Sequence, residues 1–223
     1  MLFINFKIYR QTFGQGTIDL AKTCQKVADK TGVKIIPVVS ALDLRAVKEI
    51  CEEVWLQHVD IHFEGKHTGS ISPLAASAAG AGGTLLNHSE HELPPGQIHQ
   101  ILSNFEHLNI GDSNFKFTVC FKTKGQVQNW LKSIKPKPNF VAYEPPELIG
   151  GDVSVSQAQP EVIKRIVEIL PDYNVIVGAG VNSKKDVQTA LDLGAKGVLV
   201  SSDVVKADNP EKELLDLANG FKS

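Results

Sequence analysis

The sequence predicts a compact α/β fold, a single (β/α)8 barrel, on three observations. Short β-type apolar runs alternate with helical stretches eight times along the chain, which implies a parallel sheet with helices outside. Eight such units close naturally, whereas five or six would suggest an open, doubly wound sheet. No composition shift or low-complexity linker interrupts the pattern, so residues 1–223 read as one domain. At 223 residues this barrel is shorter than the about 250 usual for the architecture.

The strands are expected at Leu2–Phe6, Lys34–Val39, Val54–Gln57, Thr84–Leu86, Lys116–Cys120, Phe140–Tyr143, Val175–Val177 and Gly197–Val200. Helices are expected at Gly16–Lys30, Ala41–Cys51, Ser72–Ala79, Gln97–Phe105, Lys124–Ile134, Pro160–Leu170, Ser183–Leu193 and Pro210–Ala218. In the seventh helix Val187, Ala190 and Leu191 form an i, i+3, i+4 apolar stripe. Ser183 fits its N-cap and Gly194 its stop.

Hydrophobic residues make up 42% of the chain, enough for a sizeable core. The net charge of −2, without a long basic or acidic run, speaks against nucleic-acid or membrane-surface partners. The apolar start Met1–Ile4 meets Asn5 and Lys7 too soon for a signal peptide or membrane span. Cys24, Cys51 and Cys120 match no zinc or redox spacing and read as reduced, buried thiols of a cytoplasmic protein. His58, Asp60, His62 and Glu64 would share one face of an extended segment, but no further ligand cluster supports a metal site. A subunit-contact loop after the third strand suits them better.

In such a barrel the site lies at the C-terminal ends of the strands. Asn5 and Lys7 are two apart at the end of the first strand and would share a face, bringing an ammonium to the mouth. His88 follows the fourth strand and could hydrogen-bond a carbonyl; Glu90 could position Lys7 or cap a turn. The stretch from Tyr143 to Asp152 ends a strand in one carboxylate, Glu144, followed by Pro145 and Pro146, a short apolar segment and Gly150-Gly151. The prolines fix the aim of Glu144, and the glycines let bare amides approach an anion. A base beside a phosphate-binding lid is what proton abstraction from a phosphorylated sugar requires. After the last two strands, Gly178–Ser183 and Gly197–Asp203 place small residues before a helix, where backbone N–H groups can bind phosphate.

Taken together, Asn5–Lys7, His67–Gly69, Asn87–Glu90, Tyr143–Gly151, Gly178–Gly180 and Ser201-Ser202 resemble, in order and spacing over essentially the whole chain, the triosephosphate isomerase family in its short archaeal form. The resemblance implies a TIM barrel interconverting D-glyceraldehyde 3-phosphate and dihydroxyacetone phosphate, a step of glycolysis and gluconeogenesis, through a cis-enediolate and without cofactor or metal. It implies that Glu144 is the base, His88 the electrophile, Lys7 the stabiliser of negative charge and Asn5 an orienting group. It also implies that Ile149, Gly150, Gly151, Gly180, Ser201 and Ser202 offer backbone amides to the phosphate. Thr68 would sit at the tip of a loop entering a partner subunit beside its Asn5 and Lys7, making a homodimer the minimum assembly, with a homotetramer also open. Three departures stand out. Gly180 replaces a serine, Ser201-Ser202-Asp203 replaces a Gly-Gly pair, and the lid hinge is shifted to Gly150-Gly151-Asp152. Asp203 would repel a phosphate unless it turned away as an N-cap. Another phosphosugar barrel, an isomerase or synthase, would share the phosphate site but lack the combined Asn5, Lys7, His88 and Glu144 set. A catalytically silent relative would show a broken set, and this one is complete.

Overall fold

A computed structural model describes residues 1–108, 114–130, 132–145, 148 and 155–222. Eight strands close into an all-parallel barrel in chain order: β1 (Leu2–Asn5), β2 (Ile35–Val39), β3 (Trp55–Leu56), β4 (Gly83–Leu86), β5 (Lys116–Phe121), β6 (Phe140–Tyr143), β7 (Asn174–Gly178) and β8 (Gly197–Val200). Closure is made by β1 on β8, with Leu2 opposite Val198 and Ile4 opposite Val200. Around the barrel run α1 (Gln15–Thr31), α2 (Leu44–Lys48), α3 (Pro73–Ala78), α4 (Pro95–His107), α5 (Lys124–Trp130), α6 (Val155–Ala158), α7 (Pro160–Ile169), α8 (Lys184–Asp192), α9 (Ser202–Val205) and α10 (Pro210–Asn219). Among the described residues, no helix is long and apolar enough to cross a membrane.

The two-residue period of the strands divides the core in two. Phe3, Ile36, Val38, Trp55, Leu85, Cys120, Phe140, Ala142, Ile176 and Leu199 point into the barrel. Their neighbours, such as Leu2, Ile4, Val141, Val175 and Val198, point outward under the helices. Inside, Phe3, Trp55 and Phe140 meet edge to face, with ring centroids 5.1–5.9 Å apart. Gly83 admits Trp55, since a Cβ there would lie 2.8 Å from the indole.

The expected helix 41–51 contracts to α2. The Asp43 backbone N–H donates to the Ser40 carbonyl, and the Ser40 hydroxyl occupies the Asp43 carboxylate, so this stretch is a turn. Helices α6 and α9, four residues each, were not expected from the sequence. Ser183 caps α8 as expected, its Oγ accepting the Asp186 N–H, and Gly194 follows the helix at φ 98°.

Candidate active site

The inward alternation that builds the core also places polar groups at the mouth. Asn5 has the parity of Phe3, Glu144 that of Ala142, and Gly178 that of Ile176. Asn5, Lys7, His88, Glu90 and Glu144 line one cavity of about 260 Å³, together with Gly180, Ser201, Ser202 and Asp203. Asn5, His88 and Glu144 are each at most 7% exposed.

Lys7 reaches this cavity by a different route from the one alternation suggests. Strand β1 stops at Asn5, and Lys7 turns into the left-handed region at φ 50°. The Asn5 side-chain oxygen accepts the Lys7 N–H at 3.0 Å, and Gln57 Nε2 donates to the Lys7 carbonyl at 3.0 Å. These two bonds hold a backbone conformation that costs about 1 kcal/mol in an L-residue. The Lys7 ammonium, its side chain 10% exposed, pairs with Glu90 Oε1 at 2.7 Å.

His88 stands after a second positive-φ residue, Asn87 at φ 60°. The Asn87 amide bridges two strand ends: its Nδ2 donates to the Cys120 carbonyl and its Oδ1 accepts the Leu93 N–H. His88 Nδ1 accepts the Glu90 backbone N–H at 3.2 Å, which assigns the ring proton to Nε2. Nε2 lies 3.7 Å from Glu144 Oε2, too far for a direct hydrogen bond and suited to two groups that share a small substrate.

Glu144 is held by its backbone N–H, which donates to the Phe121 carbonyl at 2.9 Å. Its carboxylate packs against Gly178, where a Cβ would sit 2.5 Å from Oε1. Oε2 is buried and has no hydrogen-bond partner among the described residues. Burial pushes the Glu144 carboxyl above its ordinary value of 4.5, and the neighbouring His88, then Lys7 and a hydrogen bond with Cys120, offset that only in part. The group is thereby a stronger base than an exposed glutamate.

On the neighbouring strand end, Ala179 and Gly180 both adopt positive φ, 73° and 68°, just beyond β7. Ser201 precedes α9 and its buried Oγ has no partner among the described residues. Asp203 is not the N-cap: Ser201 holds that position, and Asp203 lies in the first turn of α9 and lines the cavity. Ile149, Gly150, Gly151 and Asp152 lie outside the described residues. Thr68 is exposed on the loop between β3 and α3, away from the cavity lining. In that loop His58 stacks on His91 and His62 on His67, and among the described residues no His, Cys, Asp or Glu side chains converge as a metal site.

Gln57 and Cys120 carry no local signal in the sequence for a place at the site. Asn87 and Gly178 belong to site motifs there, but the role of Asn87 as a bridge between strand ends and of Gly178 as the floor under Glu144 comes from the fold.

The chain matches the triosephosphate isomerase family model over residues 1–220. It is 38% identical to the triosephosphate isomerase of Methanothermobacter thermautotrophicus over 224 residues, covering 98% of this chain and 94% of that one. It is 37% identical to that of Methanobacterium bryantii, covering 98% and 96%, and 38% identical to that of Metallosphaera sedula, covering 99% and 95%. With such matches over nearly its full length, the chain belongs to the triosephosphate isomerase family.

Proposed function

We propose that the chain interconverts D-glyceraldehyde 3-phosphate and dihydroxyacetone phosphate by proton transfer. The observation that carries the mechanism is the buried Glu144 carboxylate, whose Oε2 has no hydrogen-bond partner among the described residues and lies 3.7 Å from the proton-bearing nitrogen of His88. Glu144 removes the proton from one substrate carbon and returns it to the neighbour. His88 Nε2–H donates to the oxygen on which charge develops, and the Lys7 ammonium stabilises the same charge in a largely enclosed cavity. Asn5 orients the substrate and fixes the Lys7 backbone. Glu90 positions Lys7. The phosphate is received by backbone N–H groups of Gly180, Ser201 and Ser202, to which the lid residues Ile149, Gly150 and Gly151 add theirs. The buried Ser201 hydroxyl, without a partner among the described residues, supports this placement. Asp203 stands on the same wall and lowers the affinity that the amides alone would give. The reading uses no cofactor or metal, treats residues 1–223 as one catalytic domain and places the enzyme in the cytoplasm.

A homodimer belongs to the same proposal. Ile8, Phe13 and Leu42 are 79%, 60% and 97% exposed and line a second cavity that shares Lys7. A partner's loop carrying Thr68 would cover them, and Leu42→Asp should then shift the protein towards monomer in size-exclusion chromatography.

The test of the activity is a coupled assay. Glyceraldehyde 3-phosphate is supplied and dihydroxyacetone phosphate is followed through NADH-dependent glycerol-phosphate dehydrogenase. Turnover that is lost in Glu144→Gln supports the reading. A folded wild type without turnover would reject it.

A further inference from the structure

Asp186 is a fully buried carboxylate outside the catalytic cavity, at 0% exposure in the first turn of α8. Its Oδ2 accepts the Ser183 hydroxyl at 2.6 Å and the Asn182 backbone N–H at 3.3 Å, gathering the turn that carries Ala179, Gly180 and Val181 along the cavity. Its Oδ1 accepts a hydrogen bond from Gln157 Nε2 of α6, where the chain returns after the lid sequence. Two more bonds run between the same elements. The Val155 N–H donates to the Ala179 carbonyl at 3.1 Å, and the Ser156 hydroxyl donates to the Asp186 carbonyl at 3.3 Å. Tyr143, next to Glu144, donates its hydroxyl to Gln159 Oε1 at 2.8 Å, so this network also touches the strand end that carries the base.

Capping α8 does not require a buried charge, because Ser183 already accepts the Asp186 N–H. Desolvating a carboxylate is costly, and stability alone favours an apolar replacement. A carboxylate supplies several acceptor bonds in fixed directions, here to two elements at once. One of them is a turn with an alanine at φ 73°, a conformation that persists only where its surroundings over-determine it.

We propose that Asp186, with Gln157 as its arm, is a positioning residue for the phosphate side of the cavity. It sets the turn 179–183 and fastens the chain returning from the lid to it. The inference rests on the functional reading above, in which that turn faces the substrate phosphate.

Phosphate binding energy is remote from the reacting carbons and is expressed in turnover. The experiment therefore compares kcat/KM for D-glyceraldehyde 3-phosphate and for unphosphorylated D-glyceraldehyde, in wild type, Gln157→Ala and Asp186→Asn, with a thermal melt of each. Gln157 is exposed, so its alanine variant keeps the Ser183 cap and the fold. The expected result for Gln157→Ala is a loss of about tenfold on the phosphorylated substrate, the worth of one hydrogen bond to a charged group. Activity on glyceraldehyde should stay within about twofold, and Asp186→Asn should show the same selectivity with a larger loss. Equal losses on both substrates, or an unchanged ratio in Gln157→Ala with wild-type turnover intact, would overturn the proposal. A wild type inactive on both substrates would instead overturn the functional reading, and this inference with it.

Discussion

The two ends of the barrel interior follow one rule and reach opposite results. At the N-terminal end the inward positions hold Phe3, Trp55 and Phe140, which fill the lumen with rings in edge contact. At the C-terminal end the same parity presents Asn5 and Glu144 to a cavity, with Gly178 against the Glu144 carboxylate. Each end makes use of a missing Cβ. Gly83 makes room for an indole, and Gly178 makes room for a carboxylate. The first gap serves packing. The second brings a charged group into a site that raises its proton affinity. Stability and chemistry are thus separated along the strand direction, and substitutions should separate them too.

The largest effect should come from Glu144→Gln. Turnover should fall by about 10²–10⁴-fold or more, as for loss of a general base, while the melting temperature holds or rises because a buried carboxylate is removed. Trp55→Ala, at the other end, should cost about 3–5 kcal/mol of stability in a denaturant titration, with the folded fraction still active. Gly178→Ala and Gly83→Ala make the next pair. The first pushes Glu144 aside and should lower kcat by up to about 10²-fold, since a displacement near 1 Å can cost that much. The second should leave kcat and destabilise by about 1–3 kcal/mol through overpacking.

The pH dependence sharpens the same contrast. Glu144 must be ionised to act as a base, so kcat/KM should fall as pH drops through its raised value. For stability the sign is reversed. The folded state binds the Glu144 proton more tightly than the unfolded state, so its contribution is most favourable at acidic pH and is lost as pH rises from 4.5 through the folded value. Glu144→Gln should remove that fall from the stability profile. The smallest effects belong to the rim and the phosphate wall. Glu90 is 58% exposed, so Glu90→Gln should change stability by less than about 1 kcal/mol while lowering activity through a looser Lys7. Ser201→Ala should raise KM by about tenfold, the worth of one hydrogen bond to a charged group, without lowering the melting temperature, since that hydroxyl has no partner among the described residues.

The barrel was legible because buried parallel strands are short apolar runs, and every expected run coincides with a strand to within about two residues. Glu144 was legible as a lone carboxylate ending such a run. Lys7 was assigned to the mouth by an alternation that does not extend to it; its left-handed backbone depends on Gln57, fifty positions away, which no local pattern reveals. Gly178 looked like one of several turn glycines, and its contact with Glu144 exists only once β6 and β7 pair. Helices α6 and α9 are too short to show a period. Asp186 has no signal in the sequence because its buried state is created by α6 packing over it.

The central claim is that Glu144 carries a proton between adjacent substrate carbons. It is tested most directly by running the isomerisation of D-glyceraldehyde 3-phosphate in deuterium oxide and reading the product by NMR. Proton abstraction by a side chain that exchanges with solvent predicts deuterium at C1 of dihydroxyacetone phosphate with the wild type, and neither product nor label at a comparable rate with Glu144→Gln. Rapid formation of label-free product, or labelled product at an undiminished rate with the variant, would contradict it.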